Sequence, residues 1–108
     1  MLDISLNNID VSSSKVFLDF VLEQLANLPD ITYRAMMGEF IIYYRGKIVG
    51  GIYDNRLLVK NTPAASRVMP NAKFEIPYPK GKPMLIVCDI ENTELLEKIF
   101  NTVYDELM

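Results

Sequence analysis

The strongest constraint on the fold is the alternation that runs from Phe40 to Val59. Phe40, Ile42 and Tyr44 fall on one side of an extended chain and Glu39, Ile41, Tyr43 and Arg45 on the other, whereas a helix would scatter both sets. A three-residue loop, Arg45-Gly46-Lys47, keeps Phe40, Ile42 and Tyr44 on the same face as Ile48, Gly50 and Ile52; an even loop would break that match. Asp54-Asn55 then suits a two-residue hairpin turn that pairs Tyr53 with Arg56 and Ile52 with Leu57. Leu57 and Val59 join the same apolar face. The segment is therefore expected to be three consecutive antiparallel strands.

Other elements follow from a change of period. Between Ser14 and Leu28, Val16, Phe17, Phe20, Val21, Leu25 and Leu28 recur at three- and four-residue steps, which predicts an amphipathic helix with its N-cap among Ser12 to Ser14 and its end at Pro29-Asp30. Ile31 to Met37 reads as a strand closed by Gly38. Thr62-Pro63 opens a short helix that Pro70 stops, Lys73 to Ile76 suits an edge strand, and the prolines from Pro77 to Pro83 mark a loop. Met84 to Cys88 is a buried strand on this reading, with Cys88 a small core residue. From Asn92 onward Leu95, Ile99, Val103 and Leu107 recur every four residues and predict a terminal helix.

These elements imply an α+β fold of two layers: an antiparallel sheet of about five strands, two long flanking helices and one short middle helix. Phe17, Phe20, Leu25, Ile42, Ile52, Leu57, Val59, Leu85, Val87, Ile99 and Val103 are the expected core, with Met36-Met37 as core filler. Residues 14–108 are expected to form one domain after an N-terminal tail, 1–13, in which Leu2, Ile4 and Leu6 alternate like a strand able to add to a sheet edge and join two copies, a disordered tail being the equal alternative. Gly50-Gly51 in mid-strand calls for a bulge, a close helix approach, or room for a ligand or a partner backbone.

Composition excludes much chemistry. The chain has 108 residues, no histidine and one cysteine, so neither the commonest general base nor a cysteine–histidine metal set is available. The five glycines match no dinucleotide or phosphate-binding fingerprint. No enzyme activity, cofactor or metal is expected. The first residues lack a basic start and an apolar run, and no stretch approaches a membrane span, which points to the cytoplasm.

Charge is unevenly divided. From Arg34 to Lys82 the chain carries nine basic and three acidic residues, while the flanks carry two basic and eleven acidic ones; the net value of −3 conceals this. On the strand face opposite the apolar one, Tyr43, Val49, Tyr53, Arg56, Leu58 and Lys60 mix aromatic, aliphatic and cationic groups. Arg34, Tyr43, Tyr53, Arg56 and Lys60 are the candidate contacts to an acidic partner, provided that the acidic helices cover the apolar face.

The ordered set Tyr33-Arg34-Ala35-Met36-Met37-Gly38, Ile42 to Ile52, Arg56-Leu57-Leu58-Val59-Lys60, Met69-Pro70, Pro77-Tyr78 and Lys82-Pro83-Met84 resembles the TfoX/Sxy N-terminal domain family over residues 14–108. The resemblance implies a secretion-chaperone-like sheet and a regulatory binding module related to bacterial competence (DNA transformation) regulators, acting on a protein partner such as the transcription machinery. Arg34 and Lys60 match positions characteristic of that family, which assigns them no role. The family's competence regulators carry a helical second domain; a chain that stops after the terminal helix looks like the stand-alone members. Weak nucleic-acid binding through the basic face and small-molecule sensing are the alternative expectations, and the absence of a helix-turn-helix signature counts against the first.

Overall fold

A computed structural model of the protein describes residues 14–107. Helix α1 (Lys15–Gln24) precedes strands β1 (Ile31–Met36), β2 (Glu39–Tyr44), β3 (Lys47–Tyr53) and β4 (Arg56–Lys60). Helix α2 (Pro63–Val68), strands β5 (Phe74–Glu75) and β6 (Met84–Val87), and helix α3 (Thr93–Glu106) complete the order. The sheet has six strands in the order β1-β2-β3-β4-β6-β5, every neighbouring pair antiparallel. The sheet thus has six strands rather than about five, with β6 between β4 and β5, and the fold is α+β.

Each meander hairpin closes with two residues at positive φ: Met37-Gly38 (52° and 86°), Arg45-Gly46 (51° and 81°) and Asp54-Asn55 (53° and 56°). Two central residues of that sign are the signature of the turn whose twist matches the flanking strands. The middle turn corrects the sequence reading, because Tyr44 pairs with Lys47 and the loop is Arg45-Gly46 rather than three residues. Parity is restored by a β-bulge: Tyr43 pairs with Ile48 and Ile42 with Gly50, leaving Val49 unpaired. Val49 therefore turns into the core, fully buried, and Ile48 turns outward, against expectation. Gly50 sits where a Cβ would run into the Leu58 carbonyl oxygen and lie 2.9 Å from the Val59 Cα, so this glycine answers to close backbone approach.

One face of the sheet builds the core. Ile42, Tyr44, Val49, Ile52, Leu57, Val59, Leu85 and Val87 pack with Leu18, Val21 and Leu25, with Ala65, and with Leu96, Ile99, Phe100 and Val103. On α1 the buried stripe is Leu18-Val21-Leu25; the expected Phe17 and Phe20 flank it half-buried, and regular helix stops at Gln24 rather than Leu28. Ser14, Thr62 and Asn92 cap the three helices, each side-chain oxygen accepting a backbone N–H at 3.1 Å. The Tyr44 hydroxyl, inside this layer, donates to Asn101 Oδ1 at 2.8 Å and so is itself paired.

Three further readings are corrected. Strand β6 ends at Val87 and Cys88 is exposed, because the continuous apolar run lies on two faces of the sheet and stops before the turn. Met36 and Met37 are exposed, Met37 at 96%, since a two-residue turn places Met37 at its tip. The edge strand expected from Lys73 to Ile76 is confined to Phe74–Glu75. The alternation of Leu2, Ile4 and Leu6 lies outside the described residues. Among the described residues no helix is long and apolar enough to cross a membrane.

Ile52 is fully buried at the centre of the core face. Truncation to alanine removes three methyl(ene) groups from a packed site, and Ile52→Ala is expected to cost ~2–5 kcal/mol in a denaturant titration. A second expectation concerns Glu106, whose Oε1 accepts the Ala64 N–H at 2.7 Å at the start of α2. That hydrogen bond, with one from Thr62, holds the Glu106 carboxyl below its ordinary range. A depressed folded-state value means stability present above about pH 4.5 and lost as pH falls through the folded value. The acid limb of stability should therefore flatten in Glu106→Gln, as read by melting temperature between neutral and acid pH.

Candidate functional site

Residues opposite one another in a ladder share a face, so the pairings also define the side of the sheet away from the helices. That outer face carries Thr32 and Arg34 from β1, Ile41 and Tyr43 from β2, Ile48, Gly51 and Tyr53 from β3, Arg56, Leu58 and Lys60 from β4, and Met84 and Ile86 from β6. The helices pack on the opposite face, as the core contacts show. Even so, the outer face is not bare. Leu58, between Gly51 and Ile86, is fully buried, and the loop from Pro77 to Pro83 meets the sheet here.

Two glycines seat two tyrosines at this meeting. A Cβ on Gly51 would lie 2.9 Å from Cε2 and 3.0 Å from the hydroxyl of Tyr53, so the phenol ring folds back along its own strand over the space that Gly51 leaves. A Cβ on Gly81 would lie 3.0 Å from Tyr78 Cε2, and the Gly81 N–H donates to the Tyr78 carbonyl at 2.9 Å, closing a turn in which Lys80 has φ +69°. The rings of Tyr53 and Tyr78 then stand 6.5 Å apart, tilted.

Beside this pair lies a groove of about 790 Å³. Its floor is Ile41, Ile48 and Met84, its aromatic wall is Tyr53 and Tyr78, and Lys60, Lys80 and Lys82 line it with no carboxylate among the lining residues. None of these three lysines has an ion-pair partner among the described residues. A second groove, of about 490 Å³ between α1 and β1, is lined by Leu22, Leu25, Leu28, Ile31 and Tyr33 with Asp30, and has no cation. An apolar floor under fixed positive charge can take an apolar group that carries anions beside it.

Of the five residues singled out by sequence, Tyr53 and Lys60 line the groove. Arg34 is exposed on edge strand β1 and Tyr43 is half-buried on β2; both share the outer face but not the groove lining. Arg56 is engaged within the protein, its guanidinium 2.9 Å from Glu75 and 3.7 Å from Asp54. Part of the basic excess is also spent on the helix side, where Arg45 lies over the Tyr44 and Tyr104 rings and Lys47 lies over Tyr104. Sequence reasoning missed Ile41, Ile48, Tyr78, Lys80, Lys82 and Met84. The available signal was Tyr78-Pro79-Lys80-Gly81-Lys82, an aromatic and two cations around a glycine.

No family model matches the chain. Over 71 residues it is 32% identical to the "Uncharacterized 12.7 kDa protein in trpE 5'region" of Spirochaeta aurantia, a match that covers 66% of this chain and 62% of that relative. The chain thus spans less than two thirds of the length of the curated relative it matches.

Burial beside Tyr78 and Glu39 raises the pKa of the Tyr53 phenol, desolvation being the largest cause. A raised folded-state value favours the protonated phenol, so this group's contribution to stability falls as pH rises above about 10. Alkaline absorbance titration should show a tyrosine ionising above the ordinary value, and Tyr53→Phe should remove that component.

Proposed function

We propose that this protein is a non-enzymatic regulatory binding module that works in the cytoplasm by contact with another protein, in the setting of competence and transcription control that its resemblance to the TfoX/Sxy N-terminal domain implies. The observation that carries the reading is the lysine-lined apolar groove that runs from the outer face of the sheet to Thr62 and Leu107 at the ends of α2 and α3. An apolar centre with a charged rim is the composition of protein contact surfaces, and the cations steer association while the buried centre supplies affinity.

The same lysines favour a second reading, weak sequence-independent binding of nucleic acid. Salt separates the two. A complex resting on six to ten phosphate contacts loses ~10³–10⁵ in affinity between about 50 and about 200 mM salt, whereas a contact with an apolar centre falls far less.

Two measurements test the proposal. In fluorescence anisotropy, random and defined DNA duplexes should bind weakly at about 50 mM salt and not at about 200 mM; tight sequence-selective binding at the higher salt would overturn the ranking. In the native cell, a photo-crosslinking side chain placed at Tyr78 should give protein adducts that the same group at Lys98, exposed on α3, does not give. Equal adducts from both positions would remove the outer face from the function.

A further inference from the structure

We infer that the groove between the Tyr53–Tyr78 pair and the β4–α2 junction is a peptide site, and that its ligand is a short acidic segment of a partner carrying one large apolar side chain among carboxylates. The inference deepens the reading of the protein as a protein-binding module and rests on it. Its basis is a match of shape and charge. The floor of Ile41, Ile48 and Met84 is apolar, and Ile48 faces it because the two-residue turn at Arg45-Gly46 pairs it with Tyr43 on the outer face. Lys60, at the end of β4, pairs with Met84 of that floor, and Lys80 and Lys82 lie in the loop that leads from β5 into Met84.

Charge complementarity decides the chemistry of the occupant. Three cations line the groove without a carboxylate, while the neighbouring arginine, Arg56, is already matched by Glu75 and Asp54. The three lysines are thus the positive groups here that the described residues leave unmatched by ion pairs. Lysine presents a point charge on a flexible stem, which suits carboxylates spaced along an extended segment better than one planar anion held in a fixed fork. The wall supplies the anchor subsite. The half-buried Tyr53 ring lies over the space that Gly51 leaves, so it has less freedom to lose when an apolar side chain enters beside it, and the exposed Tyr78 ring can close over that side chain. A peptide with charge alone would meet the lysines but leave the floor wet, and a peptide with an apolar residue alone would gain no steering.

The test uses the full chain, isotope-labelled, titrated with a fluorescein-labelled peptide that has one phenylalanine flanked by aspartates and glutamates. Amide shifts should concentrate at Gly51, Asn61 and Gly81, and replacing the phenylalanine by serine should weaken binding about tenfold, as truncating an anchor at an interface centre does. Lys80→Glu with Lys82→Glu, both exposed positions, should weaken the phenylalanine peptide about tenfold at low salt with the melting temperature unchanged. Equal affinity of the phenylalanine and serine peptides, or shifts gathered at Leu22, Leu25 and Tyr33 in the other groove, would overturn the inference. Displacement of the peptide by dodecanoate, with dodecanoate the tighter ligand, would reassign the site to a lipid-like anion and overturn it too. If the peptide does not bind while Tyr78 still gives protein crosslinks that Lys98 does not, the peptide inference falls and the binding-module reading stands; loss of both removes both.

Discussion

The parity of strand β3 governs the rest of the molecule. A two-residue turn after Tyr44 puts Lys47 and Val49 on the core face and would, continued without interruption, send Ile52 to the other side of the sheet. Ile52 sets the face of Leu57 through the next hairpin, and Leu57 and Val59 set those of Val87 and Leu85 through the next pairing. The single unpaired residue at Val49 prevents the inversion. It allows both a tightly twisted hairpin and a continuous apolar face from Phe40 to Val87. The cost is local: Gly50 must lack a side chain because the chain bends onto the Leu58 carbonyl.

The two-residue turn, with the bulge that compensates it, makes the two faces of the sheet different in kind. Toward the helices, Val49 adds to a packed layer. Toward the other side, Ile48 emerges beside Ile41 and becomes part of a groove floor. The turn that the bulge compensates therefore also places an apolar side chain on the surface, where the loop from Pro77 to Pro83 completes the concavity around it. The glycine seats of Tyr53 and Tyr78 belong to this arrangement, since a methyl group at either position would displace the ring that forms the wall.

Charge follows the layers, although less simply than the segregation along the chain implies. Arg45 and Lys47 lie against the aromatic rings of Tyr44 and Tyr104, and Lys47 Nζ donates to the Leu107 carbonyl at 3.5 Å at the C-terminal end of α3, where positive charge is favourable. Arg56 is matched by Glu75 and Asp54. What remains on the outer side, besides Arg34 on the edge strand, is a smaller, better defined set in the groove: Lys60, Lys80 and Lys82.

Sequence alone determined the elements whose causes are local or periodic. The alternation from Phe40 to Val59, the Asp54-Asn55 turn, the Thr62-Pro63 helix start and the four-residue recurrence of the terminal helix each follow from backbone preference and from the need to bury one face, and Ile42, Ile52, Leu57, Val59, Ile99 and Val103 are buried accordingly. Tertiary structure decided what depends on residues distant in sequence. The choice of a two-residue turn plus a bulge over a three-residue loop satisfies the same apolar pattern at both ends, so periodicity does not distinguish them, yet they place Ile48 and Val49 on opposite faces. The pairing of Arg56 with Glu75 spans β4 to β5, and the groove joins β2, β3 and β4 to a loop beyond α2. Tyr53 and Lys60 are legible as surface groups on a strand, but Tyr78, Lys80 and Lys82 read only as a proline-rich loop until the chain folds back. Position in a strand is a property of neighbours in sequence; a concave site is a property of neighbours in space.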